Sequence, residues 1–161
     1  NYERIIEINA EDVPHTVSCP HTVDNTKRVE ELKDVKVNQV YVGTCTNGRI
    51  EDLRVVADIL KGKTVHPDVR MLICPASKDV FKQALKEGLI DIFVEANAAI
   101  MAPGCGPCGG VHAGILGDGE VCLATQNRNF QGRMGNTKGF IYLASPYVAA
   151  YTALRGYISA E

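Results

Sequence analysis

A chain of 161 residues is long enough for one domain with a true core, and 45% hydrophobic with 22% charged residues is the balance of a globular protein. A formal net charge of −2 argues against a surface for nucleic acid or for an anionic membrane. No apolar run has the length of a membrane span and no secretory signal is visible, so a cytoplasmic protein is expected.

The chain opens Asn1-Tyr2-Glu3 without an initiator Met and reads as a piece of something longer. Residues 1–35 have the look of a lead-in from an upstream domain. Within them Ile5-Ile6-Glu7-Ile8 has the make-up of a short edge strand. The run 13–21 is extended and broken by Pro14 and Pro20. Residues 29–32 fit one turn of helix.

Residues 36–161 alternate strand and helix patterns. The run 37–42 is β-branched and aromatic and ends at Gly43. Ile50, Leu53, Val56, Ala57 and Leu60 recur at helical spacing, with Gly62 as the stop. A second apolar run, 69–74, is closed by Pro75. Ser77 can cap a helix that carries Val80, Phe81, Ala84 and Leu85 and ends at Gly88. The short runs 90–94 and 98–101 are expected to be one or two strands. Runs 120–125 and 140–144 are further strands, and Ser145-Pro146 opens a last helix to about Arg155. This alternation predicts an α/β domain of three layers, α/β/α, around a mainly parallel sheet. Ligands in such folds gather at the carboxyl ends of strands.

Six cysteines stand at 19, 45, 74, 105, 108 and 122. The chain lacks the loop density of a disulfide-stapled scaffold, so reduced thiols or metal ligands are expected. Gly104-Cys105-Gly106-Pro107-Cys108-Gly109-Gly110 places two thiols three apart among four glycines. Glycine lets backbone approach a bulky group closely. Gly104, Gly106 and Gly109 also satisfy the dinucleotide pattern G-x-G-x-x-G, but Pro107 and the thiols crowd that loop and it sits late in the chain. Cys-Gly-Pro-Cys is equally the motif of thiol–disulfide oxidoreductases, although the chain has no Trp and more glycine than a redox helix needs. Cys45, Cys105, Cys108 and His112 have a spacing that permits a structural zinc site of a binding domain. Cys19, Cys74 and Cys122 read as small buried apolar residues.

Cys45 lies in Gly43-Thr44-Cys45-Thr46-Asn47-Gly48-Arg49, between a strand and a helix. Amides and hydroxyls at such a turn stabilise a thiolate. Three thiolates suit a cubane iron–sulfur cluster with one iron free of protein ligands, whereas electron-transfer clusters take four. Asn127-Arg128-Asn129-Phe130-Gln131-Gly132-Arg133 adds two arginines five apart, and a guanidinium fork binds carboxylates bidentately.

In these three motifs and in their order, the chain resembles the aconitase family, above all its isopropylmalate dehydratase and homoaconitase branch. The likeness runs from about Val13 to the end, and Pro20-His21-Thr22-Val23-Asp24-Asn25 and Ser145-Pro146 fit that branch. The resemblance implies the cluster-bearing third domain of a large subunit, acting in leucine- or lysine-type biosynthesis. It implies a [4Fe-4S] cluster on Cys45, Cys105 and Cys108, with Asn127, Thr46 and Asn47 beside it and Arg128 and Arg133 on substrate. It implies a hydro-lyase acting on a hydroxy di- or tricarboxylate. None of the family's catalytic acid and base motifs is present, so a small swivelling-domain subunit and upstream domains are the expected partners. The fragment alone is expected to be inactive.

Overall fold

The computed structural model describes residues 1–161. Seven strands form one sheet: β1 (Thr16–Ser18), β2 (Thr26–Arg28), β3 (Gln39–Gly43), β4 (Arg70–Cys74), β5 (Ala99–Ile100), β6 (Val121–Ala124) and β7 (Phe140–Leu143). Their order is β2-β1-β7-β6-β3-β4-β5. The five strands from β7 to β5 run parallel. β1 and β2 add an antiparallel hairpin to the β7 edge. Five helices complete the chain: α1 (Thr44–Asn47), α2 (Ile50–Leu60), α3 (Lys78–Lys86), α4 (Leu89–Glu95) and α5 (Pro146–Arg155).

The side chains of β3 show how the layers divide. Val40 and Val42 point into a core of 29 buried residues shared with α2, α4 and α5. Tyr41 points the other way, into a core of eight that includes Cys74, Cys108, Leu116 and Met134. The longer helices thus cover one face. The opposite face is covered by irregular chain between β5 and β7, which holds a single 3₁₀ turn, Gly106–Gly109. α2 anchors the helical side by burying Leu53, Val56, Ala57 and Leu60 completely. Each such leucine contributes about 1.5–3 kcal/mol of transfer free energy.

Most capping expectations are met. Ser77 Oγ accepts from Val80 N at 3.2 Å, and Ser145 Oγ accepts from Val148 N at 3.3 Å. Gly88 adopts φ 73 between α3 and α4. Two expectations change. Residues 90–94 lie in α4, because Leu89, Ile90 and Phe93 fall on one helical stripe that packs into the larger core. Residues 5–8 form no strand, and Ile5, Ile6 and Ile8 are exposed, with no partner strand beside them. The stretch 1–35 is integrated from Thr16 onward: Val17 joins the sheet, and Val29 and Leu32 of a 3₁₀ turn are buried in the larger core. No helix is long and apolar enough to cross a membrane.

The strand order creates one reversal. From β3 the chain steps outward through β4 to β5, then returns to the other side of β3 for β6 and β7. A crevice opens where two such directions part, at the carboxyl ends of β3 and β6. Cys45 follows β3 and Asn127 follows β6.

Candidate functional site

A cavity of about 240 Å³ sits at this crevice, lined by Thr44, Cys45, Ala76, Gly104, Cys105, Cys108, Asn127 and Arg133. It brings together all three thiols singled out in the sequence, with Asn127 and Arg133. Cys45 and Cys105 are exposed and Cys108 is buried. Every cysteine is free.

Each thiol is set by its own device. Cys45 enters α1 through a sharp turn in which Thr44 takes φ 71. That left-handed conformation is a true outlier for a β-branched residue. Thr125, fully buried at the end of β6, holds the turn in place. Its Oγ1 accepts from Gly43 N at 2.9 Å, and its carbonyl accepts from Asn47 Nδ2. The turn also presses against the carbonyl of Cys74. A Cβ at Gly43 would lie 1.9 Å from that oxygen, and one at Gly48 2.6 Å. Only glycine permits this approach.

Cys105 caps the 3₁₀ turn Gly106–Gly109 and Cys108 lies within it, and Pro107 supplies a preset φ. The segment leading in is tied to β4 by Met101 N, which donates to Ile73 O at 2.8 Å. The Cys74 thiol donates to Ala102 O at 3.5 Å and to Gly104 O at 3.4 Å. Cys74, read as plain packing, is thus a tether of the loop that carries Cys105. Cys122 is fully buried, which pushes its thiol up to about 12, and its sulfur accepts from Gln39 Nε2 at 3.8 Å.

Arg133 reaches in from the chain after β6. Its Nη2 lies 3.6 Å from Cys108 Sγ, and its Nε is buried without a partner. The guanidinium also stands 5.5 Å from the centre of the Phe130 ring. Arg128 is exposed and outside the cavity lining; its Nη1 donates to Asn127 O at 2.8 Å. Thr46 and Asn47 are not among the lining residues: Thr46 Oγ1 shares a hydrogen bond with the Oγ1 of the lining residue Thr44 (3.1 Å), and Asn47 Nδ2 donates to Thr125 O. Asn129 is buried and donates to Cys19 O at 2.8 Å, which ties the arginine segment to the β1–β2 hairpin. Sequence reading missed Thr44, Ala76 and Gly104 as lining and Thr125 as the clamp. Thr125 follows directly on a strand end, the one available signal.

Three soft thiols suit iron–sulfur chemistry. The cavity lies below the ~300–1,000 Å³ of a pocket for an organic ligand. No three His, Cys, Asp or Glu side chains gather on a single point. His112 lines a neighbouring cavity with Cys105, so the four-ligand zinc set is not assembled. Dithiol redox motifs use a helix N-terminus to stabilise their thiolate. Here Cys105 precedes, and Cys108 lies within, a 3₁₀ turn of only four residues.

Comparison with known proteins agrees with this geometry. The Aconitase family (aconitate hydratase) matches residues 9–156. The chain is 73% identical over 159 residues to the 3-isopropylmalate dehydratase large subunit of Elusimicrobium minutum, covering 99% of this chain and 38% of that protein. It is 55% identical over 159 residues to the methanogen homoaconitase large subunit of Methanocaldococcus jannaschii, again covering 99% and 38%. A 3-isopropylmalate dehydratase large subunit of Archaeoglobus fulgidus is 54% identical over 158 residues, 98% of this chain and 38% of that protein. The chain spans a little over a third of the length of these relatives. None of them is named for thiol–disulfide exchange or zinc binding. Matched by the family over nearly its full length, and with the three motif cysteines meeting at one crevice, this chain belongs to the Aconitase family.

Proposed function

We propose that this chain is the cluster-bearing domain of an iron–sulfur hydro-lyase. The enzyme removes water from a hydroxy di- or tricarboxylate and returns it at the neighbouring carbon. The observation that carries this reading is the convergence of Cys45, Cys105, Cys108, Asn127 and Arg133 on one cavity. The names of the relatives support isopropylmalate or homocitrate and homoaconitate as the substrate class, hence leucine or lysine biosynthesis. Their designation as large subunits supports a small subunit as partner. The cytoplasm, where thiols stay reduced, is the matching compartment.

Cys45, Cys105 and Cys108 would hold a [4Fe-4S] cluster. Such a cluster, when bound, supplies one iron without a protein ligand, a Lewis acid for the substrate hydroxyl. Arg133 supplies positive charge beside Cys108 and a buried Nε still lacking an acceptor, which suits a substrate carboxylate. Arg128, exposed and next to Asn127 in the chain, would meet an anion at the cavity mouth by exchanging its bond to Asn127 O for one to the anion. The cavity lining contains no carboxylate and no imidazole. The proton next to the substrate carboxylate is therefore taken by a group from outside this chain, on the small subunit or upstream domains.

Anaerobic reconstitution of the protein with ferrous iron and sulfide tests the reading. Broad visible absorption is expected, with strong loss in Cys45→Ser. A Cys45→Ser protein with undiminished absorption would refute the ligand set.

A further inference from the structure

Tyr41 is fully buried beneath the site, and its hydroxyl has no well-aligned hydrogen-bond partner, although the Cys74 thiol lies beside it. Its ring packs in the smaller core with Cys74 and Cys108. A Cβ at Gly106, between the two motif cysteines, would lie 3.5 Å from the Tyr41 oxygen. The hydroxyl therefore points at the underside of the Cys105–Cys108 turn. Burial pushes the phenol well above its ordinary pKa, and the thiols of Cys74, Cys108 and Cys105 push it the same way. An unmet buried donor is destabilising, and phenylalanine would fill the same space without that cost.

A neutral thiol is a poor acceptor and a thiolate a strong one. We propose that Tyr41 is a positioning residue for the cluster: its hydroxyl donates to a thiolate sulfur of the Cys105–Cys108 turn once those cysteines are metal-bound. This rests on the cluster reading above. A donor on a ligand sulfur raises the reduction potential of a cluster and slows its loss.

Tyr41→Phe removes the hydroxyl alone. Without metal, the melting temperature of the variant is expected to equal or exceed that of the wild type. After anaerobic reconstitution, the variant is expected to show a more negative cluster potential by electrochemical titration. It should also bleach several-fold faster in air. Equal potentials and equal bleaching rates overturn the inference and leave the cluster reading standing. A lower metal-free melting temperature overturns it too, because the hydroxyl would then serve the protein frame. A wild-type protein that takes up no cluster overturns the reading and this inference together.

Discussion

Thr125→Val is the sharpest test of how the site is held. Thr125 is fully buried, and valine matches its shape, so packing is nearly conserved. What disappears is the Oγ1 that accepts from Gly43 N at 2.9 Å. The amide is left in the interior without another acceptor, which costs about 1–3 kcal/mol. For a chain of this size that is a fall in melting temperature of roughly 2–12 °C. The damage is local, because Gly43 directly precedes the strained Thr44 and Cys45. Thermal denaturation followed by circular dichroism reads the first effect. Iron content after anaerobic reconstitution reads the second, and both should fall. Thr125→Ser keeps the hydroxyl, so it should recover most of each. A Thr125→Val protein that melts with the wild type and binds as much iron would refute the clamp.

Two further outcomes follow from the charged groups. In the assembled enzyme Arg133→Lys replaces a planar fork by a point charge and removes a charge-assisted bond worth about 1.5–3 kcal/mol. That corresponds to a loss of roughly 10–150-fold in kcat/KM with cluster absorption retained; unchanged kinetics would remove Arg133 from substrate binding. At the far end of α3, the Arg54 guanidinium, bonded at 2.7 and 2.8 Å, together with Gln83, holds the Glu87 carboxyl down at about 2. A depressed folded pKa stabilises above the ordinary glutamate range, and the stability is lost as pH falls towards 2. Urea midpoints should therefore decline less steeply in Glu87→Gln than in wild type from about pH 5 to pH 2. A gap between the two proteins that is constant with pH would contradict the assignment.

Local rules captured the parallel part of the fold because each signal there is local. The periodicity of α2, the serine caps of α3 and α5 and the β-branched run of β3 need no distant partner to be read. The hairpin β1–β2 was illegible for the opposite reason: strands of three residues have no pattern of their own, and β1 exists because β7 offers an edge. Helix α4 was lost because a run with four apolar residues in five fits a strand or a buried helix equally well, and packing against the larger core decides between them. At the site, the thiols and Arg133 were legible as chemistry. Their supports were not. Thr125, Cys74 and Tyr41 touch motif turns that lie from 26 to 82 positions away in the chain, and only Thr125, by following a strand end, carries a local mark.

The division of the two faces bears on why the site is built from turns. Helices spend their amides on their own carbonyls, whereas the irregular face between β5 and β7 leaves backbone free to wrap a bulky group. Such backbone would wander unless held. It is held here from three strands: β6 through Thr125, β4 through the Cys74 carbonyl and thiol, and β3 through its own turn. A non-glycine residue at positive φ costs about 1–3 kcal/mol and persists only when its surroundings over-determine it. For Thr44 these strand-end contacts supply that condition. Frame and ligands are therefore separable. Cys45→Ser should leave the melting curve of the metal-free protein almost unchanged while removing the cluster, whereas Thr125→Val should lower the curve with every ligand still in place. Equal melting losses in the two variants would mean that the thiol, and not the strand ends, holds the turn.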